Sequence, residues 1–282
     1  MKVVLFCGGL GTRLREHSET IPKPLVNIGY RPIIWHLMRY YAHFGHKEFI
    51  LCLGYKGDMI KKFFLNFEET ASNDFALSNG GKTIELFNRD IADWRITFVD
   101  TGLQSNIGQR LCAVRHHLDD DDVFMANYSD GLTNLDLDTY VERANASKAV
   151  ATVLGVRNAH SFHAITSDKN GWVESIGPLR DAPFRINGGF FVLRREIFDY
   201  IRDGEELVEE PFQRLAAERK LYMQTYEGFW RAMDTLKDKL VFDQMNDEGN
   251  KKWEVWWQPN NHRPPNASDD AEKTSQVLPC CP

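Results

Sequence analysis

No apolar run in the 282-residue sequence approaches the roughly 18 residues needed to cross a bilayer, so no membrane partner is expected. Positive charge is also in short supply. With 34 Lys and Arg against 40 Asp and Glu, the formal net charge is -6, which argues against nucleic-acid binding driven by clustered cations. An anionic ligand must therefore be met locally. Cysteine is scarce and unpatterned: Cys7, Cys52, Cys112, Cys280 and Cys281 form no CxxC pair and no zinc spacing. The first three lie in apolar segments and read as core thiols. The amino-terminal MKVVLFCGG meets glycines where a secretory leader would have a small-residue cleavage site, so it reads as a first strand of a cytoplasmic protein. No internal repeat is visible.

What is present is an ordinary globular composition, 43% apolar and 26% charged, long enough for one large domain with a substantial core. Apolar, β-rich runs at 3–7, 49–55, 96–102, 122–131 and 151–156 alternate with three-four-spaced segments at 32–44, 58–69, 107–118 and 137–147. Several of the strands are apolar throughout, as strands covered on both faces are. The expected fold class is α/β, with a Rossmann-like, mostly parallel sheet flanked by helices. SNGGKT (78–83) interrupts the alternation and reads as a surface excursion or hairpin. Further strands are expected at 172–176, 188–193 and 221–228, with helices at 195–203, 211–220 and 235–245. Residues 1–257 form the expected domain; 258–282, rich in Pro, Asn and Ser, read as a disordered tail without chemistry.

The first strand runs into Gly8-Gly9-Leu10-Gly11-Thr12-Arg13. Such a turn at the end of a parallel strand offers bare backbone amides, which suit phosphate oxygens, and glycine permits the close approach. A plain tight turn is the competing reading. Two familiar phosphate loops are excluded: the dinucleotide fingerprint needs glycine where Leu14 stands, and in ALSNGGKT the first Walker glycine is Ala76. Ten residues past Arg13, Lys23 stands between Pro22 and Pro24, which restrict its neighbours to extended geometry and aim it. Arg13 and Lys23 at one glycine turn would stabilise charge developing on departing pyrophosphate; a solvated Lys23 is the alternative.

With RPIIWHLM (31–38), GYKGD (54–58), VDTG (99–102), GQRL (108–111), YSDG (128–131), INGGFFV (186–192) and GFWRAMDT (228–235), the chain resembles the sugar-phosphate nucleotidyltransferases, most of all the glucose-1-phosphate cytidylyltransferases, across residues 1 to 257. The resemblance implies a nucleotide-binding sheet with a smaller, β-rich sugar-binding part. It also implies Mg²⁺ as cofactor, and attack of a sugar-1-phosphate on the α-phosphorus of a nucleoside triphosphate. By that likeness Asp130 and Asp234 seat the metal. Read alone, Asp130 is a turn residue and Asp234 a helix N-cap. Gly8, Gly9, Gly11, Thr12 and Arg110 are the expected nucleotide-binding set, although Arg110 also fits a solvated helix face. CTP rather than UTP or dTTP rests on the likeness alone.

For the acceptor, Asn187 and Gly188 suit hydroxyl recognition, with a strand-entry turn as the alternative. Glu209 and Glu210 match a Glu-Pro segment of the family or serve as first-turn acids. The sequence departs from the family at ESIGPLRDAPFRING, which lacks the Glu-Lys-Pro lysine that binds the sugar phosphate, leaving Arg180 or Arg185 as substitutes of different reach. Phe162 and His163 also replace a smaller, glycine-containing stretch. The expected partners are CTP and a phosphorylated small molecule, glucose-1-phosphate first, for surface-polysaccharide or deoxysugar synthesis, in a homo-oligomer. A different phosphorylated acceptor, or a nucleotide-binding regulator without turnover, are the competing functions.

Overall fold

The computed structural model describes residues 1–9, 21–158 and 162–256. A seven-stranded sheet carries the chain: β1 (Val3–Phe6), β2 (Glu48–Leu53), β3 (Arg95–Asp100), β4 (Val123–Asn127), β5 (Ala151–Val156), β6 (Ile186–Arg194) and β7 (Leu221–Tyr226). Its order is β7-β5-β6-β4-β1-β2-β3, and every pairing is parallel except the two that β6 makes. The α/β, mostly parallel architecture expected from the alternation is therefore present.

The helices are α1 (Ile33–His43), α2 (Gly57–Leu65), α3 (Ile107–Ala113), α4 (Leu137–Ser147), α5 (Glu210–Ala217) and α6 (Leu236–Asp247). They cover both sheet faces. Val3, Leu5, Phe49 and Leu51 point into one core with Leu37 and Met38 of α1, Ile60 of α2, Tyr140 of α4 and Phe242 of α6. Val4, Phe6, Ile50 and Cys52 point the other way, against Leu111 of α3 and Phe212 and Leu215 of α5. Double coverage explains why these strands read as unbroken apolar runs, each large side chain contributing about 1.5–3 kcal/mol on burial. Helix α1 stops at a glycine C-cap: Gly45 has φ +82°, its N–H donates to Ala42 O at 3.0 Å, and His46 N–H reaches back to Tyr41 O at 3.0 Å.

The interruption at 78–83 is a hairpin, Phe75–Ser78 against Thr83–Leu86, turned through Asn79, Gly80 and Gly81 at positive φ. A second hairpin pairs His163–Ser167 with Val173–Pro178 and leaves Ile165, Trp172, Val173 and Ile176 exposed. One expected helix does not form. Residues 195–203 make only a 3₁₀ turn over Arg195–Asp199, because side chains capture the backbone groups that would continue it: Arg214 donates to Tyr200 O, and Glu205 accepts from Arg202 N–H at 2.9 Å.

From β1 the chain builds outward through β2 to β3, then returns to place β4 on the other side of β1. The carboxyl ends of β1 and β4 thus flank a topological switch point, where open α/β sheets bind ligands.

Candidate active site

Gly8 and Gly9 follow β1 and line a cavity of about 380 Å³ with Lys23, Asp130 and Asp234. Arg110, on α3, lies directly beneath the glycines and is 3% exposed. Its guanidinium donates to Leu53 O (3.1 Å), Thr101 Oγ1 (2.7 Å), Gly102 O (2.9 Å) and Gly8 O (3.1 Å). A Cβ on Gly8 would lie 2.1 Å from Arg110 Nη1, and one on Gly54 would lie 2.8 Å from Gly8 O. Glycine at 8 and 54 is thus demanded by close approach. Burial lowers the Arg110 pKa below the ordinary arginine value, and no carboxylate is ion-paired to it among the described residues. The solvated helix face is therefore not where Arg110 sits. It is a buried, carbonyl-bound cation that holds Gly8 in place and adds positive potential beside it.

Lys23 opens a short 3₁₀ turn, Lys23–Leu25, closed by Leu25 N–H to Pro22 O at 2.8 Å. Its ammonium lies between two carboxylates, 2.6 Å from Asp130 Oδ2 and 2.8 Å from Asp234 Oδ1. Burial works to lower the ammonium's pKa, but the two carboxylates outweigh it and hold Lys23 above the ordinary lysine range. Burial lifts the Asp130 carboxyl against the pull of Lys23, and neighbouring Asp234 adds to the rise.

Two devices bring these carboxylates together. Asp130 follows Ser129, a non-glycine residue at φ +66°, a conformation that costs on the order of 1 kcal/mol or more and needs support. The support is Ser129 N–H to Asn127 Oδ1 (2.9 Å) and Ser129 Oγ to Phe6 O (2.8 Å), which also ties the end of β4 to the end of β1. Beyond Asp130, Gly131–Thr133 pairs antiparallel with Trp230–Ala232, and Met233 N–H donates to Asp130 O at 2.9 Å. Asp130 and Asp234 flank the same end of this ribbon. Thr235, not Asp234, caps α6: it forms a capping box with Asp238, which Arg231 holds at 2.9 Å. Asp234 is thereby left for the cavity.

Among the described residues no three His, Cys, Asp or Glu side chains cluster as a metal cage. Two hard carboxylates do fit Mg²⁺, which keeps several waters and binds through one or two carboxylates plus substrate phosphates.

The acceptor residues are placed apart from this cavity. Asn187 donates to Tyr128 Oη at 3.0 Å and accepts from Gly189 N–H at 2.8 Å; Gly188 O accepts from Trp230 Nε1 at 2.8 Å. Arg185 pairs with Glu227, which also holds Arg157, while Arg180 is exposed, 3.9 Å from Asp181. Glu209 is exposed at the start of α5, Glu210 lies in its first turn, and neither lines the cavity. His163 is exposed in the second hairpin. Gly11, Thr12 and Arg13 lie outside the described residues.

Two cavity residues escape a reading of the sequence. Tyr128 lines the cavity and links it, through its hydroxyl, to Asn187; burial raises its phenol well above the ordinary value. Glu206 lines the cavity as well, four residues before Glu210 in a run of acids whose orientation no local pattern reveals.

Residues 2–240 match the family model described as Nucleotidyl transferase. The chain is 37% identical over 259 residues to a glucose-1-phosphate cytidylyltransferase of Salmonella typhimurium, covering 91% of this chain and all of the relative. It is 27% identical over 248 residues to a mannose-1-phosphate guanyltransferase of Yarrowia lipolytica, covering 85% of this chain and 62% of that one. A solved UDP-glucose pyrophosphorylase complexed with UDP-glucose has the same fold, with a TM-score of 0.63 at 14% identity over 88% of this chain and 98% of that one. With the glycine turn, the Lys23 bridge and the paired aspartates all at the switch point of one sheet, and with that match over most of its length, the chain belongs to the nucleotidyl transferase family.

Proposed function

We propose that the protein transfers a cytidylyl group from CTP to a sugar-1-phosphate, glucose-1-phosphate first, releasing pyrophosphate. The observation that carries this reading is the triangle of Lys23, Asp130 and Asp234 lining one cavity with Gly8 and Gly9. A phosphate oxygen of the acceptor bonds to the α-phosphorus of CTP while the bond to the bridging oxygen of pyrophosphate breaks. Catalysis of such an exchange is chiefly alignment and charge neutralisation.

In this reading Lys23, kept protonated by its two carboxylates, supplies a fixed positive charge for the phosphates. Arg13 supplies the second cation, and Gly11 and Thr12 extend the amide cradle. Asp130 and Asp234 would hold Mg²⁺, which when bound neutralises phosphate charge and polarises the α-phosphoryl oxygens. Asn187 and Gly188 receive the sugar, and Arg185 or Arg180 its phosphate, in place of the family's lysine. The 37% identity to a cytidylyltransferase supports CTP as donor. Exposed apolar side chains on the second hairpin, Trp172 and Ile176 among them, support a homo-oligomer. The cytoplasm, where sugar phosphates and nucleotides are made, is the compartment this reading requires.

A second reading keeps cytidylyl transfer and changes the acceptor. It is favoured by the missing lysine and by the engagement of Arg185 with Glu227. Incubation with CTP, Mg²⁺ and a panel of phosphorylated acceptors, with pyrophosphate as readout, separates the two. Release with glucose-1-phosphate well above all others supports the first reading. Release with another acceptor supports the second, and none with any acceptor removes both in favour of a nucleotide-binding regulator.

A further inference from the structure

Ser105, Asn106, Ile107 and Glu206 also line the cavity. Its polar groups are nearly all committed. Ser105 Oγ donates to Thr101 O at 2.5 Å; the Asn106 amide donates to Gly204 O at 2.9 Å and accepts from Gln109 N–H at 2.9 Å. The Arg110 guanidinium is bound to carbonyls and Thr101, as described above. Glu206 differs. Its Oε2 accepts from Ile107 N–H at 3.2 Å, while its Oε1 is buried with no hydrogen-bond partner among the described residues. Of the buried side-chain atoms left in that condition, Glu206 Oε1 alone belongs to a residue lining the cavity. A buried acceptor without a donor loses on the order of 1–3 kcal/mol, so a ligand that supplies the donor is favoured.

Resting on the nucleotidyl-transfer reading above, we propose that Glu206 selects the base: its Oε1 accepts a hydrogen bond from the 4-amino group of cytosine. Uracil and thymine present a carbonyl oxygen at that position, which a carboxylate repels. Guanine recognition by a carboxylate uses both oxygens for the ring N–H and the amino group together, and Oε2 is already held by Ile107 N–H. Phe6, Ile107 and Tyr128 supply apolar surface for a single pyrimidine ring.

The test compares wild type with Glu206→Gln and Glu206→Ala, measuring kcat/KM for CTP and UTP at fixed Mg²⁺ and acceptor, and affinity for each nucleotide by calorimetry without acceptor. Glutamine keeps an acceptor for Ile107 N–H, so a purely structural role predicts an unchanged CTP/UTP ratio in that variant. The expected result is a ratio lowered roughly tenfold to a hundredfold in both variants, seen chiefly in KM and in the binding constants, with UTP gaining most in Glu206→Gln. A ratio within twofold of wild type in both variants, or a wild type that binds CTP and UTP equally, overturns the inference while leaving nucleotidyl transfer intact. A wild type that turns over no acceptor overturns the reading beneath it, and the calorimetric ratio then still decides the role of Glu206.

Discussion

The sides of this molecule to which nucleotide and acceptor are assigned in the proposal above are built differently. Around Gly8 the chain interlocks: Arg110, Gly54, Thr101 and Leu53 come from different elements, touch within hydrogen-bonding or steric limits, and leave no room for a Cβ. Around Asn187 the cations are held by one carboxylate, Arg157 and the mostly buried Arg185 both on the exposed Glu227, and a hairpin with apolar side chains in solvent lies beside them in sequence. Chemistry common to a family sits on the interlocked side, where one substitution displaces several partners. The proposed acceptor side can exchange residues at less structural cost, and it is there that the sequence lacks the lysine its resemblance implies.

Breaking the interlocked side should give the largest effects. Asp130→Asn or Asp234→Asn should reduce Mg²⁺-dependent turnover by roughly a hundredfold or more with an unchanged circular dichroism spectrum. Retention of most of the activity would sever these residues from the phosphates. Arg110→Met should take the guanidinium donor from Gly102 O and one of two or more donors from Gly8 O and Leu53 O, and lower stability by about 1–3 kcal/mol, read as a lower denaturant midpoint at unchanged m-value.

A pH titration sharpens the contrast further. His36 Nε2 donates to Ile28 O at 3.1 Å, and Trp253 Nε1 donates to His36 Nδ1 at 3.3 Å, so the ring is neutral with its proton on Nε2. Burial pushes its pKa from 6.5 down to about 4. Between those values the unfolded chain binds a proton that the native one refuses, so stability falls as pH drops from about 6.5 to 4. One such proton amounts to about 3 kcal/mol across the window. His36→Gln should flatten that slope in urea melts. The smallest effect belongs to the exposed arginine: Arg180→Ala should raise KM for the sugar phosphate several-fold and leave the melting temperature where it was.

Much of this scaffold was legible in the sequence. Helix 137–147 and strand 151–156 have the boundaries the residue pattern gave, because amphipathic period and uniform apolarity are local signals. Residues 195–203 misled, since Arg214 and Glu205 take the backbone groups of that segment and neither capture has a local signature. The burial of Arg110, which the sequence places in the nucleotide-binding set or on a solvated helix face, is hidden for a related reason: its partners lie just after β1, at the end of β2 and in the loop after β3, and charge alone does not announce burial. Glu206 was hidden among like neighbours. The choice of acid is made by distant contacts: Arg214 and Arg202 N–H hold Glu205, Ile107 N–H holds Glu206, and Gly108, where a Cβ would meet Glu205 O at 2.3 Å, lets the two segments close.

The ribbon joining residues 131–133 to 230–232 has a consequence for synthesis. A nascent chain that has emerged only through β7 already owns the glycine turn, the proline-framed lysine and one aspartate, yet it cannot assemble the pair. The carboxylate pair therefore arrives late and all at once, when the final strand of the ribbon docks.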